Sequence, residues 1–159
     1  MLTKTKRKEL IEKIRRLPKL LDDAVEGLNA RQLGTPYGKG KWTICQVVHH
    51  IADAHVNAYI RFRLILTEDH PTIKPYDQDA WAALSDASFA DVAPSLDIVR
   101  GIHQRWSEMM DEIDDRAWSR TGYHPEHGEM SLEDLLVTYA EHGEHHLGQI
   151  VTARTEFEW

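Results

Sequence analysis

The sequence predicts an all-α protein, built as a four-helix bundle with one long crossover connection. Apolar residues recur at helical spacing in four long segments, and a long connection separates the second segment from the third. No segment shows the alternation of apolar and polar residues that is typical of a half-buried strand. A chain of 159 residues is predicted to form a single domain, spanning residues 1–159.

The first helical segment runs from about Lys6 to Leu28, with its apolar residues on one side. Pro18 interrupts it, and a proline inside a helix removes a hydrogen bond and clashes with the preceding turn. We therefore expect a kink or two consecutive helices at this point. A polar connection rich in glycine follows, and Thr43 or a residue near it opens the second helix.

The second helix is predicted to reach about Thr67, and one flank of it carries a line of polar residues. These are His50, Asp53, Asn57 and Arg61, at positions i, i+3, i+7 and i+11. Two interpretations of the last three stay open. They form either an exposed face with side-chain pairs along the helix, or the wall of a cavity beside a metal, where they are the candidate catalytic residues.

Residues 68–92 form the long crossover, which contains two prolines and three aromatic residues. A connection of this length is uncommon unless it is functional or packs over the domain. A short helix is expected within it, around Asp77 to Leu84, and such a crossover can join two helices that lie parallel. The third long helix starts near Asp91 to Ser95 and continues to about Asp114.

The last helix is predicted to follow a loop around residues 124–128. The sequence Ser131-Leu132-Glu133-Asp134 has the pattern of a capping box. His142 and His146 then lie one turn apart on the stripe that faces the core. The apolar residues of that stripe are Leu135, Leu136, Tyr139, Ile150 and Ala153.

This histidine pair predicts a metal site. Residues at i and i+4 are separated by about 40° around the helix axis and by about 6 Å along it, so His142 and His146 can reach one ion. His50, on the second helix, is the third candidate ligand. Histidines fall at this spacing by chance as well, but two buried neighbouring imidazoles need polar partners, and one metal ion satisfies both.

Three neutral imidazoles leave a divalent ion with open coordination positions, which is typical of a catalytic metal. Such an ion can lower the pKa of water towards neutrality, or bind a thiol and hold it as thiolate. Zinc and nickel both accept imidazole, so the ligand set does not choose between them. The sequence His-Gly-Glu-His-His around Glu144 lacks the spacing of the zincin protease motif.

The other histidines have less defined roles. His55 lies on the apolar side of the second helix and is expected to be a hydrogen-bonded core residue. His103 is compatible with core packing or with a pocket wall. For His124 and His127, in the predicted loop, solvent exposure and a place at the pocket mouth both stay open.

Composition excludes several functions. The net charge of −7 argues against a nucleic acid or an anionic membrane as the main partner. Cys45 is the only cysteine, so no intramolecular disulfide can form, which fits a reducing compartment. Neither a membrane-spanning apolar run nor a signal-peptide pattern is present. We therefore expect a cytoplasmic protein with a small-molecule substrate.

The sequence resembles the DinB superfamily and, within it, the YfiT-like proteins proposed to be metal-dependent hydrolases. The resemblance covers nearly the whole chain. It rests on Thr35-Pro36-Tyr37, Trp42-Thr43-Ile44, the stretch from Gln46 to Asp53, the stretch from Pro71 to Tyr76, His124-Pro125-Glu126, and the stretch from Tyr139 to His146.

This resemblance implies a DinB-like four-helix bundle, commonly a homodimer, with one divalent metal ion per chain. The ligands it implies are His50, His142 and His146. The leading activity is transfer of a low-molecular-weight thiol, such as bacillithiol, to an electrophile. The alternatives are hydrolysis by a metal-activated water and a non-catalytic metal-binding protein of the stress response.

Overall fold

Four long helices make up the bundle in this computed structural model, which describes all 159 residues. They are α1 (Lys4–Val25), α3 (Ile44–Thr67), α5 (Ala93–Asp111) and α6 (Leu132–Glu156). The shorter elements are α2 (Ala30–Leu33), α4 (Gln78–Ala82), 3-10 turns at Asp86–Ser88 and Ala117–Ser119, and the strands β1 (Thr121–His124) and β2 (Gly128–Ser131). The predicted all-α four-helix bundle is confirmed, and α4 is the short helix expected in the crossover.

The long helices pack as a square, in which α1 and α3 each contact both α5 and α6. Their directions follow from two hydrophobic clusters. The first cluster includes Phe62 and Trp106, and the second includes Leu21 and Val48. Helices α1 and α6 begin in the first cluster and end in the second, whereas α3 and α5 run the opposite way. The crossover therefore joins two parallel helices, α3 and α5.

Between the two clusters, three helices each contribute one histidine. On α3 the second cluster ends at Ala52, the first begins at Ala58, and His55 lies between them. His103 on α5 and His142 on α6 lie at the equivalent boundary on their own helices. We call His55, His103 and His142 the histidine layer. His55 is 1% exposed and His103 is fully buried, so the core position expected for His55 is confirmed.

Capping boxes fix the starts of the two helices that carry the candidate ligands. Thr43 accepts a hydrogen bond from the backbone N–H of Gln46, whose side chain accepts one from the backbone N–H of Thr43. Ser131 and Asp134 form the same reciprocal pair at the start of α6, as predicted. Each pair satisfies two backbone donors that have no partner within the helix.

Of the two outcomes expected at Pro18, two consecutive helices is wrong, because one helix continues from Lys4 to Val25. The kink stays a prediction. A proline removes only one hydrogen bond from the helix. On either side of it, α1 buries Ile14 and Leu21 almost completely against the rest of the bundle. This packing on both sides maintains one continuous helix.

The segment expected to be a loop before α6 is a β-hairpin instead. The strands β1 and β2 pair antiparallel, with His124 opposite Gly128. Gly128 has a φ of 75°, in the left-handed region that glycine adopts without strain. Each strand has four residues, which is too short for an alternating pattern to stand out in the sequence.

The hairpin also attaches the crossover to the bundle. The backbone N–H of Tyr123 donates to the carbonyl oxygen of Pro71 at 2.9 Å, and the N–H of Ile73 donates to that of Tyr123 at 2.8 Å. Gly122 permits this approach, since a Cβ atom there would lie 2.9 Å from the Pro71 oxygen.

None of the helices has the combined length and apolar character that crossing a membrane requires.

Candidate metal centre

The three predicted ligands meet between α3 and α6. Nε2 of His50 lies 3.1 Å from Nε2 of His142. The ring centroid of His146 lies 4.4 Å from that of His142 and 4.7 Å from that of His50. One nitrogen from each ring lies within 4.8 Å of the other two. The structure therefore brings together the three histidines selected from the sequence.

This donor set fits one divalent ion. Two nitrogens that bind the same ion at about 2.0–2.1 Å in tetrahedral geometry lie about 3.4 Å apart. The corresponding distance between His50 and His142 is 3.1 Å. Two neutral imidazoles that face each other through Nε2 can share only one hydrogen, whereas an ion accepts a lone pair from each.

Burial keeps the clustered imidazoles uncharged. Loss of solvent, with a smaller effect of His146, lowers the pKa of His50 to about 4. The same loss of solvent, reinforced by neighbouring histidines, lowers the pKa of His142 to about 2. Burial also lowers the pKa of His146. At neutral pH all three rings therefore keep the lone pair that a metal ion requires.

Side chains to which the sequence assigned no role orient the ligands. Nδ1 of His146 lies 2.9 Å from Oε1 of Gln149, which makes Nδ1 the donor and leaves Nε2 for the centre. The amide nitrogen of Gln149 in turn donates to the hydroxyl of Tyr37 at 3.1 Å. The ring of Trp42 contacts that of His50 edge-on, with 4.8 Å between centroids. Tyr37 and Trp42, both in stretches on which the resemblance rests, thus contact a ligand or its hydrogen-bond partner.

A cavity of about 640 Å³ opens beside His142. Its walls come from α3, α6, the hairpin and the crossover. They include Arg61, Pro75, Tyr76, Gln78, His124, Glu126, His127, Thr138 and Tyr139. The volume suits a small-molecule ligand. Part of the crossover thus forms one wall of the cavity.

Of the three candidate catalytic residues on α3, Arg61 lines this cavity. Its Nη1 donates to the hydroxyl of Tyr139 at 2.6 Å, and its Nη2 donates to the carbonyl oxygen of Lys74 at 2.9 Å. Both acceptors are uncharged, so the guanidinium keeps its full positive charge at the cavity wall. A catalytic role for Arg61 stays a prediction.

Asp53 and Asn57 are half-buried but do not line this cavity. Burial and, to a smaller extent, the charge of Asp86 raise the pKa of Asp53, and His49 acts in the opposite direction. The side-chain amide of Asn57 donates to the backbone carbonyl of Asp53 at 2.8 Å. Their proposed part in the chemistry stays a prediction.

The hairpin turn carries a second group of possible metal ligands, namely His124, Glu126 and His127. All three line the cavity. His124 is 3% exposed, and its Nδ1 accepts a hydrogen bond from the backbone N–H of Glu126 at 3.2 Å. Glu126 and His127 are exposed. These histidines therefore lie at the cavity, which was one of the two positions that the sequence left open.

Fold and site together define the class of protein, which is a four-helix bundle with a cluster of three histidines at its middle. Residues 13–150 match the sequence profile of the DinB superfamily. The chain belongs to this family.

Relatives share almost the full length of the chain. YfiT from Bacillus subtilis strain 168, named as a proposed metal-dependent hydrolase, is 40% identical over 159 residues, which cover 99% of this chain and 89% of YfiT. A relative from Geobacillus kaustophilus strain HTA426 with the same description is 44% identical over 153 residues, covering 95% of this chain and 85% of the relative. These names suggest a metal-dependent enzyme.

The solved structure of Bacillus subtilis YfiT has the same fold. It superposes with a TM-score of 0.97 at 39% sequence identity, covering 100% of this chain and 91% of YfiT. That structure is described as a four-helix bundle with an unusual topology.

Proposed function

We propose that this protein is a metal-dependent thiol S-transferase, which joins a low-molecular-weight thiol of the bacillithiol type to a small electrophile. The observation that carries the proposal is the cluster of three uncharged imidazoles, His50, His142 and His146, of which His142 lines a cavity of about 640 Å³. One divalent ion per chain, zinc or nickel, suits these ligands. Bound there, the ion would lower the pKa of a coordinated thiol or water and so supply a nucleophile near neutral pH.

The surroundings of the cluster favour a thiol over water. The group of possible metal ligands at this centre consists of imidazoles alone, without a carboxylate. Asp53, the candidate catalytic carboxylate on α3, does not line the cavity of His142, and its charged neighbours are Asp86 and His49. A free thiol has a pKa of about 8.5 and water one of about 15.7, so a thiol loses its proton with much less help from a base.

The cavity wall supplies groups that can hold a bound molecule. Arg61 and Tyr139, which are hydrogen-bonded to each other, both line the cavity beside His142. Because the guanidinium has only uncharged partners, we expect it to bind a polar or anionic group of the substrate. Arg61 is therefore a binding residue in this proposal, separate from the metal ligands.

Metal-dependent hydrolysis is the second candidate, and one observation favours it. The carboxylate of Glu126 lines the same cavity as His142, where it can act as a general base towards water. The relatives named above are also described as proposed metal-dependent hydrolases. The two candidates share the metal centre and differ in the nucleophile.

Metal content and turnover, measured on the same preparation, test the proposal. Protein purified without an affinity tag is expected to hold one divalent ion per chain. It is expected to accelerate conjugation of monochlorobimane to at least one of cysteine, glutathione and bacillithiol. A chelator or His142→Ala removes both properties, because either change destroys the centre. His70→Ala is the matched control, since it removes an exposed histidine outside the cluster.

Other outcomes discriminate between the candidates. Loaded protein that hydrolyses p-nitrophenyl acetate without a thiol would favour the hydrolase. Loaded protein that turns over neither substrate class would indicate a non-catalytic metal-binding role. Protein that takes up neither zinc nor nickel on reconstitution contradicts the metal centre. The homodimer stays part of the proposal, and light scattering after size-exclusion chromatography measures it.

A further inference from the structure

A continuous run of imidazoles leads from the candidate metal centre to the backbone of α1. Nδ1 of His142 lies 3.2 Å from Nε2 of His55. Nδ1 of His55 lies 2.8 Å from Nε2 of His103, and the two ring planes are 10° from parallel. Nδ1 of His103 lies 2.6 Å from the carbonyl oxygen of Ile14. The run thus connects all four long helices through the histidine layer.

The carbonyl at the end of this run sets the direction of every hydrogen bond in it. A carbonyl oxygen can only accept, so Nδ1 of His103 carries its hydrogen and Nε2 of His103 becomes an acceptor. His55 must then donate through Nδ1 and accept through Nε2. His142, by the same rule, donates through Nδ1. The one nitrogen of His142 left with a lone pair is Nε2, which faces His50.

Pro18 explains why this carbonyl is available. In an α-helix the carbonyl oxygen of residue i accepts from the N–H of residue i+4, and for Ile14 that residue is Pro18. Proline has no N–H, and its ring clashes with the carbonyl of the residue four positions earlier. Ile14 therefore keeps an acceptor without a helical donor, and His103 donates to it from α5.

We propose that Pro18, His103 and His55 are positioning residues that fix the tautomer of His142, so that its Nε2 presents a lone pair to the metal centre. The purpose of the run rests on the proposed metal centre, whereas the tautomer is a property of the metal-free chain. A metal-ligating histidine usually donates its second N–H to a fixed acceptor, which orients the ring. Here the acceptor is the imidazole of His55. The orientation of the His142 ring then depends on the Ile14 carbonyl of α1, a helix that contributes no ligand.

The tautomers are measured directly by long-range ¹H–¹⁵N correlation NMR of metal-free protein with ¹⁵N-labelled histidine. His103, His55 and His142 are each expected to carry the hydrogen on Nδ1 and to show an unprotonated Nε2. A hydrogen on Nε2 of His142 in the metal-free wild type would overturn the proposal. This readout requires neither bound metal nor turnover.

His103→Phe removes both ring nitrogens and keeps a planar ring against His55. The variant is expected to weaken Zn²⁺ binding about 10- to 100-fold in competition with a chromophoric chelator, and to give His142 a mixture of tautomers. Val99→Ala is the control, because Val99 is buried one turn away on α5 and has no part in the run. It is expected to lower stability and to leave the tautomers and the Zn²⁺ affinity unchanged.

The outcomes separate this inference from the proposed function. If His103→Phe folds and binds Zn²⁺ as tightly as the wild type, the positioning role is wrong even though the metal centre stands. If His103→Phe does not fold, the tautomers measured in the wild type still test the positioning role. If the wild type shows the expected tautomers but takes up no metal, the proposed function fails, and with it the purpose assigned to the run.

Discussion

Gly143 and Leu17 are in such close contact that a Cβ atom at position 143 would lie 2.5 Å from Cδ2 of Leu17. The same Cβ atom would lie 3.5 Å from Cε1 of His55. The glycine next to His142 therefore allows α1 and α6 to approach each other beside the histidine layer. Its place in the His-Gly-Glu-His-His sequence is a packing requirement of the site.

We predict that Gly143→Ala destabilises the protein by about 1–3 kcal/mol, because Leu17 is 3% exposed and has little room to move. Urea denaturation measures the effect. Gly148→Ala is the control on the same helix, since nothing lies within 4 Å of a Cβ atom there. It is expected to stabilise α6 by up to about 1 kcal/mol. Equal effects of the two substitutions would show that the contact with Leu17 is unimportant.

The metal-free protein is predicted to lose stability as the pH falls from about 6.5 to about 4. Burial lowers the pKa of His103 from 6.5 to about 4, although its contact with the Ile14 carbonyl acts in the opposite direction. Between these values the unfolded chain binds a proton that the folded chain excludes, so acid favours unfolding. Above pH 6.5 the imidazole of His103 is uncharged in both the folded and the unfolded chain, so this effect vanishes. His103 alone is expected to cost about 2 kcal/mol at pH 5 relative to pH 7.5.

Urea denaturation of chelator-treated protein at these two pH values measures this loss. In His103→Phe the difference in unfolding free energy between the two pH values is expected to shrink by about 2 kcal/mol, the contribution of the His103 proton. His50, whose pKa is also lowered to about 4 by burial, retains an effect of the same sign in the variant. An unchanged pH dependence in His103→Phe would contradict the prediction.

Arg61→Lys is predicted to loosen the crossover without removing the metal. Arg61 bridges Tyr139 on α6 and the backbone of Lys74 in the crossover, and the single ammonium of a lysine cannot make both contacts in the same geometry. Amide hydrogen exchange over residues 74–78 is expected to accelerate, with unchanged zinc content. Arg63→Lys is the control, because the side chain of Arg63 is exposed on the same helix and its hydrogen-bond partner is Tyr59.

Glu133→Gln is predicted to destabilise the protein by about 1–3 kcal/mol. Glu133 accepts hydrogen bonds from Nη1 of Arg7 at 3.0 Å and from the backbone N–H of Leu2 at 2.7 Å. Both charged side chains are buried, so loss of the carboxylate leaves Asp115 as the one carboxylate paired with Arg7. Thermal and urea unfolding measure the change.

The surface pair of Glu9 with Lys6, 3.3 Å apart, provides the control. Glu9→Gln is expected to change stability by no more than about 0.5 kcal/mol, because both side chains are exposed and screened by solvent. A cost as large as that of Glu133→Gln would mean that burial is not what gives the pair with Arg7 its importance.

The sequence predicted the features that depend on one helix at a time. The starts of α3 and α6 followed from the capping residues Thr43 and Ser131, and the pair His142 and His146 followed from helical spacing. His50 was selected as a third candidate, and the structure places it 3.1 Å from His142. These predictions needed only the helical period and the polarity of the residues.

What the sequence did not predict depends on the relative positions of several helices. His103 was undecided between core and pocket, because its partners are His55 on α3 and the Ile14 carbonyl on α1. Pro18 was interpreted from its effect on its own helix, where it predicts a kink or two consecutive helices. Its consequence in the structure lies on α5, and no local pattern in the sequence connects the two.

The hairpin was missed for a different reason. Its two strands are held by their mutual pairing and by contact of Tyr123 with Pro71 and Ile73. The bonds of Tyr123 reach Pro71 and Ile73, 52 and 50 positions earlier in the chain, and such distant pairing leaves no periodicity within either segment. Only the turn residue Gly128 gave a local signal, and it is compatible with a loop as well as with a hairpin.

The histidine layer also determines how the helices are aligned along their lengths. Apolar side chains tolerate sliding, since one leucine can replace another against the same surface. Buried imidazoles do not, because each needs a nitrogen or carbonyl partner at a fixed height. A slip of α5 by one turn, about 5.4 Å, would separate His103 from both Ile14 and His55. The layer thus favours a single alignment of α1, α3, α5 and α6. A lone buried asparagine fixes the alignment of helices in a coiled coil in the same way.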